Sequence, residues 1–142
     1  MKAAFAYTNA NSTATATTGG NETMGGSIAF KHTSGISAAI AAGDQDNQLS
    51  TDNDPEYFRA NVGYETKLNS LGNTTFAVHY HETEDNVTDG DQAEDITVGM
   101  IQSLDSIGGK MGIEYSNISF SDAVGTDYND IDVVYFETAI NF

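Results

Sequence analysis

Cysteine is absent from the sequence, and proline occurs once. The lack of cysteine excludes a disulfide scaffold and thiolate metal sites. Basic residues are scarce as well: 5 Lys and Arg residues stand against 21 Asp and Glu residues, which gives a net charge of -16. Binding to nucleic acid needs clustered Lys and Arg, so this composition excludes nucleic acid as a partner. An acidic surface attracts cations instead.

Long apolar runs are also missing. No stretch approaches the roughly 18 to 20 apolar residues of a membrane-spanning helix, and the first ten residues lack the apolar core and cleavage site of a signal peptide. No long segment places apolar residues at helical spacing either. The sequence therefore predicts an all-β chain, and its 142 residues predict a single domain over 1–142.

Alternation of apolar and polar residues with a period of two predicts eight strands. Their predicted ranges are 2–9, 24–32, 36–43, 57–67, 75–82, 95–102, 110–118 and 133–142. Short turns at 33–35, 68–74 and 103–109 alternate with long polar connections in which most of the acidic residues fall. In an up-and-down sheet, successive connections lie at opposite ends, so the short turns share one end and the acidic connections share the other. Transmembrane β-barrels have this layout.

The alternation also defines two faces. One face carries the larger apolar residues, for example Phe58, Phe76 and Phe136, and the other carries every basic residue. A Lys or Arg that faces lipid at the bilayer midplane costs about 2–4 kcal/mol, so we expect the apolar face to point outward. The predicted fold is an antiparallel up-and-down transmembrane β-barrel with eight strands in this chain, alone or as half of a larger barrel.

The short turns predict two strand registers. Across the turn at 68–74 we expect Thr66 opposite Phe76, which places Asn61 opposite His81. Across the turn at 103–109 we expect Met100 opposite Met111. In both registers polar positions pair with polar positions, as a sheet with two different faces requires.

The last residues of the chain, "VVYFETAINF", resemble the C-terminal strand of Gram-negative outer-membrane proteins, which the barrel-assembly machinery recognises. Residues 57–142 extend the likeness: "YFRANVGYETKLNSLGNTTFAVHYHETED", "ITVGMIQSLDSIGGKMGIEYSNISFSDA" and "DIDVVYFETAINF" resemble the last strands of a Gram-negative porin. The resemblance implies a bacterial outer-membrane location, with outer-membrane lipid and the assembly machinery as partners. Phe136, Ile140 and Phe142 would form the assembly signal.

The same resemblance implies a function: passive diffusion of small hydrophilic solutes. The acidic loops at the mouth predict a preference for cations, and we expect no enzymatic activity, because no catalytic motif occurs. The residues expected to line the lumen are Lys31, Arg59, Glu65, Lys67, His79, His81, Lys110, Glu114 and Glu137. Open channels need about 16 to 18 strands, whereas eight strands enclose an interior that side chains fill. Because many polar-face residues are small, we expect a wider barrel, built with a missing half or as a homo-oligomer.

Two other functions fit the same sequence. The chain could be a small non-conducting outer-membrane barrel with structural or adhesive loops. It could also be a soluble ligand-binding β-barrel, or a cation-binding sandwich, with its apolar face inside.

Motifs for catalysis or tight metal binding are weak. No nucleophile elbow or zinc-binding helix motif occurs, so no catalytic residue is assigned. His79 and His81 have a spacing that can bind a metal, but the sequence fixes no third ligand. Residues 44–54 fail the calcium-loop pattern. No cofactor is expected beyond weakly held divalent cations at the acidic loops.

Overall fold

The structure is a computed structural model that describes residues 1–10, 21–47, 54–126 and 128–140. Its strands are β1 Lys2–Ala10, β2 Asn21–Lys31, β3 Ile36–Asn47, β4 Glu56–Asn69, β5 Gly72–Glu84, β6 Gln92–Leu104, β7 Gly109–Ser121 and β8 Ile131–Ile140. One 3₁₀ turn, Asp105–Ile107, precedes β7. No helix among these residues is long and apolar enough to cross a membrane. The prediction of an all-β chain with eight strands is confirmed.

All eight strands belong to one antiparallel sheet, in which each strand pairs with its neighbours in the sequence. The predicted up-and-down topology is therefore confirmed. Within the described ranges β1 pairs only with β2, and β8 pairs only with β7. The sheet is open, so these eight strands do not close on one another.

Both predicted registers are wrong by two residues. Thr66 lies opposite Thr74, and Met100 lies opposite Ile113. The first difference arises because β4 is irregular between Thr66 and Asn69, and because Gly72, at φ 149°, closes the turn early. The second difference arises in the turn between β6 and β7, where Gly108, at φ 63°, ends the 3₁₀ turn and lets Leu104 pair with Gly109. Each shift is even, so every regularly paired residue keeps its predicted face.

No apolar residue in the described part of the chain is buried. Phe58, Phe76 and Phe136, which a soluble barrel would pack inside, are 40%, 39% and 60% exposed. The chain exposes 9773 Å² in all, whereas a folded soluble monomer of 15.1 kDa should expose roughly 7100 Å². Backbone hydrogen bonds between strands, rather than a packed interior, hold the sheet together.

The apolar face has a sharp boundary at the end where the long connections lie. The last apolar pairs are Tyr7–Met24, Ala42–Phe58, Tyr80–Ile96 and Tyr115–Val134, one for each pair of strands joined by a long connection. The next residues on that face are polar, as in the pairs Asp44–Glu56, Glu82–Glu94 and Asn117–Asp132. We call this the loop-end boundary, and each of its four pairs includes one aromatic residue.

The loop-end boundary crosses the sheet obliquely. Met24 lies opposite Asp44, Phe58 opposite Glu82, and Ile96 opposite Asn117. At each of these steps the boundary moves by two residues toward the short turns, and it is level in between. It therefore drifts by one residue per strand, which is about 3.3 Å for each spacing of about 4.8 Å.

Two buried polar side chains join the short turns. Thr74 is 1% exposed and Gln102 is 8% exposed. The Gln102 amide accepts hydrogen bonds from Thr74 and Asn69, at 2.7 and 3.0 Å, and donates to the Gly72, Asn73 and Ser103 carbonyls. The Asp105 N–H also donates to the Leu71 carbonyl, at 2.8 Å. The turn after β4 is thereby fixed to the turn after β6.

Replacing Gln102 by Met should destabilise the sheet by about 1–3 kcal/mol, because buried carbonyls and the Thr74 hydroxyl lose their partner. The matched change at Gln92 should cost less than about 1 kcal/mol, because water can replace its half-buried hydrogen bond to Glu82. Urea unfolding followed by circular dichroism measures both variants. Equal losses would contradict the role given to Gln102.

Candidate functional site

The register places the candidate lumen residues on one face of the sheet, which we call the polar face. Residues directly opposite in an antiparallel sheet share a face. Arg59 lies opposite His81, Gly99 opposite Glu114, and Gly112 opposite Glu137. By the same pairing the face includes Lys31, Glu65, His79 and Lys110. Lys67 is exposed in the irregular part of β4, where no register partner is assigned.

Two of the basic residues on the polar face form ion pairs. The Lys31 Nζ lies 3.8 Å from a carboxylate oxygen of Glu65, and the Lys110 Nζ lies 2.8 Å from one of Glu137. All four side chains are 40% to 67% exposed, so each pair stabilises the fold by only about 0–1 kcal/mol. Their main effect is to fix where the charges stand on the face.

His79 and His81 lie side by side at the middle of the sheet, with ring centroids 6.2 Å apart. The His79 Nδ1 is 2.6 Å from the Asn61 Oδ1. The His81 Nε2 is buried without a hydrogen-bond partner, and Asp95 lies opposite this residue on β6. Across the described residues no group of three or more His, Asp or Glu side chains could hold a metal ion.

Several long side chains on the polar face lie across glycines. A Cβ on Gly43 would come 2.6 Å from the Tyr57 ring, and a Cβ on Gly99 would come 2.9 Å from the Glu114 side chain. The Arg59 guanidinium in turn lies 5.6 Å from the centre of the Tyr57 ring. Because glycine has no side chain, Tyr57 and Glu114 can lie flat along the sheet. The layer of side chains on the polar face is therefore thin at these positions.

Acidic residues differ from their expected positions. The strands run further than predicted into the acidic connections and so add Glu22, Asp44, Asp46, Glu56, Glu84, Glu94 and Asp132 to Glu82 and Asp95, which the predicted strands already included. Of these only Asp95 lies on the polar face, because the others share the parity of the apolar face. These strand-end carboxylates therefore border the apolar face rather than the polar face.

Tyrosine hydroxyls bind this acidic border. Tyr80 donates a hydrogen bond to Glu82 at 2.6 Å, and a second contact to Glu94 is 3.3 Å long. Tyr115 donates to Asp132 at 2.7 Å. The loop-end boundary therefore joins aromatic rings on its apolar side to carboxylates on its polar side.

In the described connections, two aspartates organise the backbone. The Asp91 carboxylate is buried and accepts hydrogen bonds from the Asn86, Val87 and Thr88 N–H groups, at 2.8 to 3.0 Å. The Asp122 carboxylate accepts from the Thr126 and Val124 N–H groups, and the Thr126 bond is the main reason why the pKa of Asp122 is lowered. These two carboxylates stabilise the backbone of their own connections by accepting its N–H hydrogen bonds. The calcium-like stretch 44–54 lies partly outside the described residues.

Sequence reasoning missed two features of the polar face. Asp95, which accepts a hydrogen bond from Thr97 at 3.0 Å, adds a negative charge beside His81. At the loop end of β7 and β8 the same face carries apolar residues, with Ile118 opposite Ile131 and Val133 opposite Ser116. Asp95, Ser116, Ile118 and Val133 all lie within predicted strands, so alternation already gave their face, and the register adds which of them lie opposite one another. The candidate assembly residues Phe136 and Ile140 are exposed on the apolar face of β8, whereas Phe142 lies outside the described residues.

Comparisons with protein families, with curated proteins and with solved structures find no match for this chain. Its function is therefore inferred from the residues and their geometry.

Replacing Gly43 by Ala should destabilise the sheet by about 1–3 kcal/mol, because the new methyl group meets the Tyr57 ring and the Met24 carbonyl. Gly26 is the matched control, since its Cβ would meet only ordinary contacts at 3.6 and 3.9 Å. There Ala should be neutral or stabilise slightly. Urea midpoints of the two variants measure the difference, and equal midpoints would refute the close packing at Gly43.

Proposed function

We propose that this chain forms the wall of an outer-membrane β-barrel of porin type, through which small hydrophilic solutes diffuse passively. The observation that supports this most is the exposed apolar face, bordered by aromatic and acidic residues, on a sheet with no buried apolar residue in its described part. Lipid is the solvent such a face requires. Membrane barrels have an apolar band flanked by aromatic girdles and a polar interior.

The oblique boundary supports a membrane orientation. If the loop-end boundary lies level with the membrane surface, a drift of one residue per strand corresponds to a strand tilt of about 35°. Transmembrane barrels tilt their strands by about 35–45°. The tilt is that of a barrel wall in general, and the exposure of the apolar face is what favours lipid outside it.

The polar face would line the solute path. On it the charges nearly balance: Lys31 and Lys110 are paired with Glu65 and Glu137, and Arg59 lies near Asp95 across His81. The acidic connections still add negative charge at the loop end. We therefore propose a modest preference for cations, set by the loops and by Asp95, that weakens as salt screens it.

Planar-bilayer recording tests the proposal. The assembled protein should conduct, and its reversal potential in a KCl gradient should have the sign of cation flow. Two neighbouring residues on opposite faces provide a matched pair of variants. Asp95→Asn should shift the reversal potential toward zero, because it removes a charge from the path, whereas Glu94→Gln removes a charge from the outer border and should leave the potential unchanged.

Absence of conductance from any assembled form, or a preference for anions, would contradict the proposed function. Equal shifts for Asp95→Asn and Glu94→Gln would contradict the assignment of faces.

The small non-conducting barrel is the second candidate, favoured by the count of eight strands. It shares the membrane orientation, so only the conductance distinguishes it. The soluble barrel has less support, since Phe58, Phe76 and Phe136 pack into no interior.

A further inference from the structure

This inference rests on the proposed membrane function. In a membrane, the outer edges of β1 and β8 would expose unpaired backbone groups to hydrocarbon. In hydrocarbon each unpaired backbone N–H or C=O group costs several kcal/mol, so open sheet edges do not occur there. Both edges therefore need a strand. We propose that a second copy of this chain supplies it, so that β8 of each copy pairs with β1 of the other and two copies close a ring of sixteen strands.

Strand direction allows this closure. With an even number of alternating strands, β1 and β8 run in opposite directions. When β8 of one copy meets β1 of the other, the two strands are antiparallel, since β1 begins and β8 ends at the short-turn end. The two seams are equivalent, so the ring closes with two copies and leaves no edge.

The small size of many side chains on the polar face favours two copies rather than one. A barrel of eight strands is filled by its side chains. Here small residues occupy much of the polar face, including Ala4 and Ala6 on β1, Gly25 and Ala29 on β2, and Ala39, Ala41 and Gly43 on β3. Side chains such as Tyr57 and Glu114 lie flat across glycines. A ring of sixteen strands has the open path that the proposed function needs.

The loop-end boundary fixes the register of the seam. Within the chain, the boundary residue of β3, β5 and β7 always lies opposite the same position of the preceding strand, counted from that strand's own boundary residue. The three pairs are Ala42 with Gly26, Tyr80 with Ala60, and Tyr115 with Val98. Each partner lies two residues from its own strand's boundary residue, on the side of the short turns. On β8 the boundary residue is Val134, so the same rule places Tyr7 of the second copy opposite Phe136.

This register also brings compatible side chains together. On the apolar face it pairs the exposed rings of Tyr7 and Phe136, and aromatic pairs across strands stabilise a sheet. On the polar face it pairs Ala4 with Ala139 and Ala6 with Glu137. The small side chains of β1 leave room for Glu137, which stays bound to Lys110.

Disulfide cross-linking tests the seam, and the absence of native cysteine makes the readout clean. The double variant Ala4→Cys with Ala139→Cys is reconstituted in lipid vesicles, floated, oxidised, and run on denaturing gels with and without reductant. Directly opposite residues have Cα atoms about 4.5–5.5 Å apart, which suits a disulfide. We expect a main band at twice 15.1 kDa that reductant converts to monomer.

Two control pairs test face and register. Ala4→Cys with Thr138→Cys puts the thiols on opposite faces, and Ala4→Cys with Glu137→Cys shifts the pair by two residues. Both should cross-link much less than the first pair. Stronger cross-linking by the shifted pair would overturn the register.

The other outcomes separate the inference from the proposed function. A floated, oxidised protein that remains monomeric with an internal disulfide would mean that eight strands close alone, which overturns the second copy. Floated protein without any cross-link would overturn it as well. Failure of the unmodified chain to float with the vesicles would instead refute the membrane function itself.

Discussion

The antiparallel backbone ladder from β1 to β8 is the interaction on which the rest of the structure depends, because no buried apolar residue holds the described strands together. The strands β2 to β7 pair on both sides and β1 and β8 on one side each, and the side chains of all of them form two unlike faces. That arrangement is stable only where a solvent suits each face. Lipid on one side and water on the other meet both requirements.

The ladder also sets the geometry of the faces. Because the loop-end boundary drifts by one residue per strand, a level membrane surface requires tilted strands, and tilt and stagger together determine how a ring can close. The same drift carries the aromatic and acidic border from Tyr7 to Asp132. The border is part of this pattern of register, and the proposed tilt and the proposed seam are both derived from it.

Strand existence and face parity could be predicted from the sequence, since a period of two survives errors in strand ends. The registers could not, because they depend on local turn geometry: the irregularity after Thr66 and the positive φ of Gly72 and Gly108 shift two pairings by two residues. Most candidate lumen residues fell on the expected face for the same reason of parity. The Gln102 network and the outward acidic border depend on register and strand length, so the sequence alone left them undetected.

The central claim is that the apolar face meets hydrocarbon and the polar face meets water. Adjacent residues near the middle of β6 test it directly, since Thr97 lies on the polar face and Val98 on the apolar face. A nitroxide label on a single cysteine at either position, in vesicles, reports collisions with oxygen and with a water-soluble nickel chelate by electron paramagnetic resonance. The account predicts that oxygen collides more with the label at 98 and the chelate more with the label at 97. The reverse order, or protection of the label at 98 from both reagents, would contradict it.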